Sequence, residues 1–497
     1  MMSEIIIKLL ESYGFKAWLC GGTARDIYMG NTPTNYDVAV NATLKELRGK
    51  LSSRITALNE YGTYIKVEFK NTFFYIYPLK KIELVNTYYN FSFTNSLAED
   101  ASTRDFTINA LYYNPLTKEW FDYVDGRKDI DDKRIRLVGH PNTRILESKI
   151  RILRAATLSS ILGEGWFVDQ ETVNAIKSEK LKLLTVNSRQ INSELIEVFT
   201  RSKEPSKFIY ELKHLDLLES FFPELQETLN IEQTNKADHL NLFQHILLSL
   251  DKVSNSFNNN KKLLLRITAL LHDIGKPYTQ TIINGELHFY QHEHVGAHIA
   301  EKVLYRWGFN KQFVTRVTNL IINHLFDANP QRSTQSIKKL IHRVGPENIH
   351  DLLELRYVDR LGNHRTDIDM KYFNRFKSKI NRILEHESPK YFKLNIKDED
   401  LKILITPLTN KVEETLVELK EHLKLLIRLK KVHNRKKKII EYIQPLFNIT
   451  CPLDLKHLIN TWSDIYRGSE EIFQNGNLKC GLYCNFKCNK VLEEQSK

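Results

Sequence analysis

Residues 17–40 read Ala-Trp-Leu-Cys-Gly-Gly-Thr-Ala-Arg-Asp-Ile-Tyr-Met-Gly-Asn-Thr-Pro-Thr-Asn-Tyr-Asp-Val-Ala-Val. Ala17–Cys20 is a short apolar run that reads as a strand. Gly21-Gly22 then turns the chain into a helix led by Thr23, Arg25 and Asp26. A strand, a Gly-Gly turn and a helix amino terminus aim backbone N–H groups and a positive dipole end at a phosphate site. Glycine permits close approach, and Arg25 adds a charge-assisted contact to a triphosphate. Gly-Gly alone is a plain turn in most chains, so its meaning depends on what surrounds it.

Upstream, Ile5, Ile6, Leu9 and Leu10 have helical spacing over residues 3–13, and Gly14 stops that helix. Downstream, residues 62–79 alternate as a β-hairpin, with a turn at Lys70-Asn71-Thr72. From about residue 140 the pattern is helical and stays so. Strands first and helices after predict an α+β chain: a small α/β head at 1–125, a helical neck at 126–235, a compact helical domain at 236–365 and a basic helical tail at 366–497.

Composition narrows the function. The chain has 497 residues, too many for one core, and a net charge of +12. That charge favours a polyanionic partner, RNA first among them, although a Lys- and Asn-rich proteome would give the same balance. The amino terminus lacks a signal-peptide pattern and no apolar run is long enough to span a membrane. The five cysteines form no disulfide framework, so a reducing cytoplasm is expected.

Pro33-x-x-x-Asp37 and Thr103-Arg104-Asp105-Phe106-Thr107-Ile108-Asn109-Ala110-Leu111 complete the pattern around Gly21-Gly22. Together these stretches resemble the head of class II tRNA nucleotidyltransferases, the CCA-adding enzymes and bacterial poly(A) polymerases. The resemblance implies binding of ATP or CTP through Gly21, Gly22, Arg25, Arg104, Asp105 and Asn109, and action on tRNA or other RNA 3′ ends. It also implies Mg²⁺ held by a carboxylate-x-carboxylate pair and a third carboxylate on a neighbouring strand. Here those positions read Asn35, Asp37 and Tyr75. An amide brings no charge to a dication, nor does a phenol at neutral pH. Asp37 is then the only expected catalytic carboxylate at these positions, with Asp26, Glu99 and Asp100 in neighbouring motifs as candidates to compensate. Thr103 stands where the family carries arginine. Phe106, Ile108 and Leu111 are read as core.

Residues 121–130 resemble the family hinge between head and neck. Residues 144–154 follow, where the family places an Asp and an Arg one turn apart on a helix to read the incoming base. Arg151 and Arg154 are present, but the Asp is Ser148, so choice between C and A is expected to be lost or altered. The alternative is that Arg151 and Arg154 form a solvated basic face. Departures at Asn35, Tyr75, Thr103 and Ser148, beside a matching framework, are the pattern of a kept fold with an eroded transferase site.

A second constellation lies at 238–360. It comprises His245, the run Leu270-Leu271-His272-Asp273-Ile274-Gly275-Lys276-Pro277, then His292-Glu293-His294-Val295-Gly296-Ala297-His298, His324 and Asp359. This resembles the HD phosphohydrolase superfamily. The resemblance implies a divalent metal (Mn²⁺, Ni²⁺, Co²⁺ or Mg²⁺) on His245, His272, Asp273 and Asp359, with phosphatase or 2′,3′-cyclic phosphodiesterase activity. His298 and His324 are expected at a second metal or the substrate phosphate.

In the tail, Lys424, Arg428, Lys430, Lys431, Arg435, Lys436, Lys437 and Lys438 read either as a solvated face or as a phosphate contact. Cys480, Cys484 and Cys488 share one helix face and read as packing rather than zinc. Three functions remain open: a metal phosphohydrolase whose head holds RNA, a working nucleotidyltransferase, or a catalytically silent RNA-binding protein.

Overall fold

The computed structural model describes residues 2–443 except 52–54, 59–61, 70–71, 86–87, 233–239, 285, 364–369 and several short stretches within 388–434. Lys424, Arg428, Lys430, Lys431, Cys480, Cys484 and Cys488 lie outside the described residues.

The head begins with α1 (Met2–Ser12), β1 (Ala17–Cys20), α2 (Gly21–Tyr28), β2 (Tyr36–Val40), α3 (Leu44–Leu51), β3 (Ile55–Leu58), β4 (Ile65–Phe69) and β5 (Thr72–Pro78). It continues through β6 (Lys80–Val85), β7 (Tyr88–Phe93), α4 (Leu97–Thr103), β8 (Leu111–Asn114) and β9 (Glu119–Asp122). Seven strands form one sheet in the order β3-β4-β5-β2-β1-β8-β9. Only β2 and β5 run parallel in it, while β6 and β7 form a separate hairpin. Alternation buries Leu19, Val38, Val40, Phe74 and Ile76 on one face, where Ile6, Ile7 and Leu10 of α1 cover them. The opposite side chains of β2 and β5 are left for chemistry. Phe106, Ile108 and Leu111 are buried, as expected of core.

Helices follow: α5 (Gly126–Asp131), α6 (Pro141–Glu147), α7 (Arg151–Leu162), α8 (Gln170–Glu179), α9 (Ser188–Arg201), α10 (Ser206–His214), α11 (Leu218–Phe221) and α12 (Pro223–Gln226). Two short strands, β10 (Arg134–Ile135) and β11 (Phe167–Val168), pair in parallel among them. Next come α13 (Leu242–Asp251), α14 (Asn259–Leu271), β12 (Gln280–Ile283), β13 (Glu286–Phe289), α15 (His292–Arg306), α16 (Lys311–Asn323), α17 (Thr334–Val344) and α18 (Ile349–Gly362). The β12–β13 hairpin was not expected, because its apolar residues are too few to stand out against the helices around it. Among the described residues no helix is long and apolar enough to cross a membrane.

Residues 1–376 form one compact unit and 377–497 another. The second has its own core, including Leu401, Leu419, Leu423, Ile439 and Ile443. Arg435, Lys436, Lys437 and Lys438 are accounted for within it: Arg435 to Lys438 are exposed, and Lys436 and Lys438 pair with Asp400 and Glu441.

Candidate metal centre and nucleotide site

In the head, the turn after β1 is close-packed. Gly21 has φ +61°, and a Cβ there would lie 3.3 Å from Asp37 Oδ2 and 3.7 Å from Arg104 Nη1. Glycine is required by both conformation and space. The Thr23 hydroxyl accepts from Asp37 N at 2.8 Å and donates to Asn35 O at 3.3 Å, fixing the entry to β2. Asp37 pairs in register with Tyr75 across the parallel strands. Burial pushes the Asp37 carboxyl up to about 6, with Arg104 and Arg25 opposing it. Asn35 is exposed ahead of the strand.

Asp26, Asp100 and Glu99, the other carboxylates of the head motifs, are engaged in contacts of their own. Asp26 accepts from Arg25 Nε and Nη2 at 3.0 and 2.7 Å. Asp100 is 1% exposed and accepts from Lys80 N, Arg104 and Tyr112 Oη. Glu99 is exposed and accepts from Thr94. Among the described residues, no group of three metal-ligating side chains converges in the head. The donor set there does not fit a pair of divalent ions.

The nucleotide residues do come together. Arg25 Nη1 donates to Asn109 Oδ1 at 2.7 Å, and Asn109 Nδ2 reaches Asp105 Oδ1 at 3.5 Å. Asp105 Oδ2 accepts from Arg154 Nη1 at 2.9 Å, and Arg154 Nε donates to Glu194 at 2.8 Å. Glu194, on α9, is a member of this chain of contacts that the sequence motifs left out. Burial pushes the Cys20 thiol at the floor of the site up to about 12.

Ser148 and Arg151 do not form the expected pair on one helix. Helix α6 ends at Glu147, and Ser148 takes an extended conformation with φ −153° and ψ 97°. Helix α7 starts at Arg151, whose side chain is buried. It donates to Glu147 at 2.9 Å, Arg144 O at 2.6 Å and Thr103 O at 3.0 Å. A guanidinium holding three buried acceptors is neither a solvated face nor turned toward a base. Arg154 remains half-exposed but is paired to two carboxylates. Thr103 is buried and donates to Asp100 O.

The second constellation converges. His245 sits on α13, which opens with a reciprocal Asn241–Gln244 capping box. His272 caps the carboxyl end of α14, Asp273 follows it, His292 starts α15, His324 caps the end of α16, and Asp359 lies on α18. Gly275 lets the motif loop lie against α15, because a Cβ there would fall 2.2 Å from His292 O and 2.5 Å from Gly296 N.

Two groups of ligand atoms result, His245–His272–Asp359 and Asp273–His292–His324, each within 4.8 Å. Asp273 joins them. Its Oδ2 lies 3.3 Å from Nε2 of both His245 and His272, while Oδ1 lies 3.2 Å from His292 Nε2 and 3.6 Å from His324 Nε2. Nδ1 of His272, His292 and His324 each lies 2.7 Å from the carbonyl three residues back (Ala269, Phe289, Ile321). Donation there orients each ring and turns Nε2 inward, where it is a metal ligand once deprotonated. His245 Nε2 and His272 Nε2 face each other at 3.2 Å, and His292 Nε2 is buried without a hydrogen-bond partner. Inward lone pairs beside two buried carboxylates fit divalent cations.

The two carboxylates draw protons onto the imidazoles. Against burial, Asp273 and Asp359 push His272 up to about 10 and His245 upward, and these charges with Lys276 hold Asp273 and Asp359 well below the usual carboxylate range. A divalent ion at the same place would take over from those protons. Lys276 Nζ is 2.6 Å from Asp273 and Arg356 Nη1 is 2.7 Å from Asp359. His298 is exposed and belongs to neither group, contrary to expectation. It lies six residues beyond His292 on the same helix, about 240° around, so the two point apart. His292 was within the motif already singled out; the signal for it was its place at the helix start.

Residues 17–136 match the model of the poly A polymerase head domain, and residues 237–363 match that of the HD domain. The chain is similar to CCA-adding enzymes and poly(A) polymerases. It is 29% identical over 236 residues to the CCA-adding enzyme of Bacillus subtilis, covering 46% of this chain and 58% of that one. It is 34% identical over 178 residues to poly(A) polymerase I of Escherichia coli O157:H7, covering 33% of this chain and 38% of that one. The chain therefore spans less than two thirds of the length of these curated relatives. A solved CCA-adding enzyme complex with ATP is similar in fold at 15% identity and TM-score 0.50, covering 90% of this chain and 95% of that one.

Proposed function

We propose that this protein processes RNA 3′ ends, with the HD centre as a divalent-metal phosphohydrolase and the head as an RNA- and nucleotide-holding module of weak or lost transferase activity. The observation that carries the reading is the Asp273 carboxylate placed between two histidine-containing groups, against a head in which, among the described residues, Asp37 joins no such group. Bound divalent ions would supply a more acidic water and positive charge at a phosphate. His245, His272, Asp359, Asp273, His292 and His324 would hold them. Lys276 and Arg356 balance the carboxylates and keep them placed. We assign terminal-phosphate removal or 2′,3′-cyclic phosphate opening as the reaction and the cytoplasm as the setting.

The domain boundaries proposed are head 1–125, neck 126–235, HD domain 236–365 and tail 366–497, supported by the two family matches. A second reading, addition of C or A to tRNA 3′ ends with Mg²⁺ and CTP or ATP, draws support from the Arg25–Asn109–Asp105 contacts. The names of the relatives, CCA-adding enzyme and poly(A) polymerase, point to the same RNA end.

The test is phosphate release from 2′,3′-cyclic and terminal-phosphate RNA ends with Mn²⁺, Ni²⁺, Co²⁺ or Mg²⁺, run beside labelled ATP and CTP incorporation into tRNA lacking its 3′ end. Hydrolysis lost in His272→Ala and Asp273→Ala, with little incorporation, is the expected result. Incorporation lost in Asp37→Ala would establish the second reading. Neither activity with any metal would leave a silent RNA-binding protein.

A further inference from the structure

We propose that Ser249 is a positioning residue of the metal centre: its hydroxyl accepts the Nδ1 proton of His245 and so sets the ring whose Nε2 points at the cation site. The inference rests on the metal centre of the proposed function and on no particular substrate.

The other three histidines of the centre are oriented by backbone. His272, His292 and His324 each hold the carbonyl three residues back through Nδ1. Each sits at the boundary of a helix, where such carbonyls are open. His245 differs because it lies inside α13, whose carbonyls are taken up by the helix itself. It is 1% exposed, and among the described residues its Nδ1 has no hydrogen-bond partner. Its other nitrogen is committed inward, 3.3 Å from Asp273 and 3.4 Å from Asp359.

Ser249 stands one turn further along α13, four residues on, and shares a face with His245. It is buried, and among the described residues its Oγ also lacks a hydrogen-bond partner. The buried hydroxyls of Thr157 and Thr268 donate to the carbonyl four residues back, the ordinary outlet within a helix, and that of Ser249 does not. Gly362, at the end of α18, shows that the two orphaned atoms border one space. A Cβ there would lie 1.9 Å from Ser249 Oγ and 3.1 Å from His245 Nδ1. Any larger residue at 362 would take the place of the hydroxyl. A buried N–H and a buried hydroxyl oxygen each cost free energy when left unpaired. Pairing them, by a turn about the serine Cα–Cβ bond or through one water, satisfies both and fixes the His245 ring.

The experiment compares the full chain with Ser249→Ala, which removes only the hydroxyl, in two measurements. Equilibrium dialysis against Mn²⁺ is expected to show affinity lowered by about tenfold in the variant. Nitrogen-15 spectra of the histidine rings in metal-free protein are expected to show a slowly exchanging His245 Nδ1 proton, assigned by its absence in His245→Gln. That signal is lost in Ser249→Ala. The Nδ1 protons of His272, His292 and His324, held by carbonyls, persist in the variant, which a general loosening of the fold would not allow. Mn²⁺ bound equally well by both proteins, or a His245 signal that survives Ser249→Ala, would overturn the proposal and leave the metal centre standing. A Ser249-dependent signal in a protein that takes up no Mn²⁺ would keep the contact and remove the metal centre.

Discussion

Tyr75 stands directly beside Asp37 on the neighbouring parallel strand. The position facing the one retained carboxylate is filled by a phenol, which packs 5.6 Å from the Tyr64 ring and carries no charge at neutral pH. On the proposed reading, Tyr75 as well as Asn35 stands where a carboxylate would serve nucleotidyl transfer.

Restoring charge therefore needs two changes. Asn35→Asp with Tyr75→Glu is expected to raise Mg²⁺-dependent incorporation of labelled ATP or CTP into tRNA lacking its 3′ end by about tenfold or more, since two anions are returned to a dication site. Asn35→Asp alone should do less. Unchanged incorporation in the double variant, with the fold intact, would show that erosion extends beyond these carboxylates.

Asp37 is destabilising when charged. Its carboxyl titrates near 6 in the folded head, against the 3.8 of an ordinary Asp, because burial outweighs the Arg104 and Arg25 charges. The folded state holds this proton more tightly, so head stability falls as pH rises from about 4 to about 6 and is level above. The full shift would correspond to about 3 kcal/mol, and partial exposure of the side chain reduces it to about 1–2 kcal/mol. Asp37→Asn is expected to slow amide hydrogen exchange in β2 and β5 at pH 7.5, with the gain vanishing near pH 4. A gain independent of pH would assign the effect to something other than this proton.

Histidines on one helix should separate cleanly. His292→Ala removes a buried donor and is expected to lower Mn²⁺ affinity by about 10- to 100-fold and hydrolysis with it. His298→Ala, on the exposed side of the same helix, should change metal affinity by less than about twofold. Equal losses would mean that α15 as a whole, rather than its first residue, supports the centre. Equilibrium dialysis against Mn²⁺ is the measurement.

Much of this was legible from residue order, and the reasons for the failures are specific. Ala17–Cys20, the hairpin of β4 and β5 and the helix ended by Gly14 follow from local period and turn chemistry. His245, His272, Asp273 and Asp359 were readable because the motif residues are few and chemically distinctive. The pairing of Asp105 with Arg154 and Glu194 joins residues 49 and 40 positions from Arg154, which no local pattern encodes. His298 was named and His292 was not, because residue order puts both in one motif without showing which ring turns inward. Ser148 was placed inside a helix because nothing in its neighbours announces the break after Glu147.

That break gives Arg151 a different task. Its guanidinium is buried and holds Glu147, whose side chain is 1% exposed, together with the carbonyls of Arg144 and Thr103. Arg151→Ala removes three hydrogen bonds and leaves a buried carboxylate to Arg144 alone, so a loss of about 3 kcal/mol is expected, read as faster exchange of α6 and α7 amides. Arg151→Lys restores the charge but cannot reach three acceptors with one ammonium, and should recover only part of it. A residue that selected the incoming base would behave otherwise: its loss would alter the ratio of C to A incorporated and leave amide exchange untouched. Arg151 is thus a joint between α4, α6 and α7.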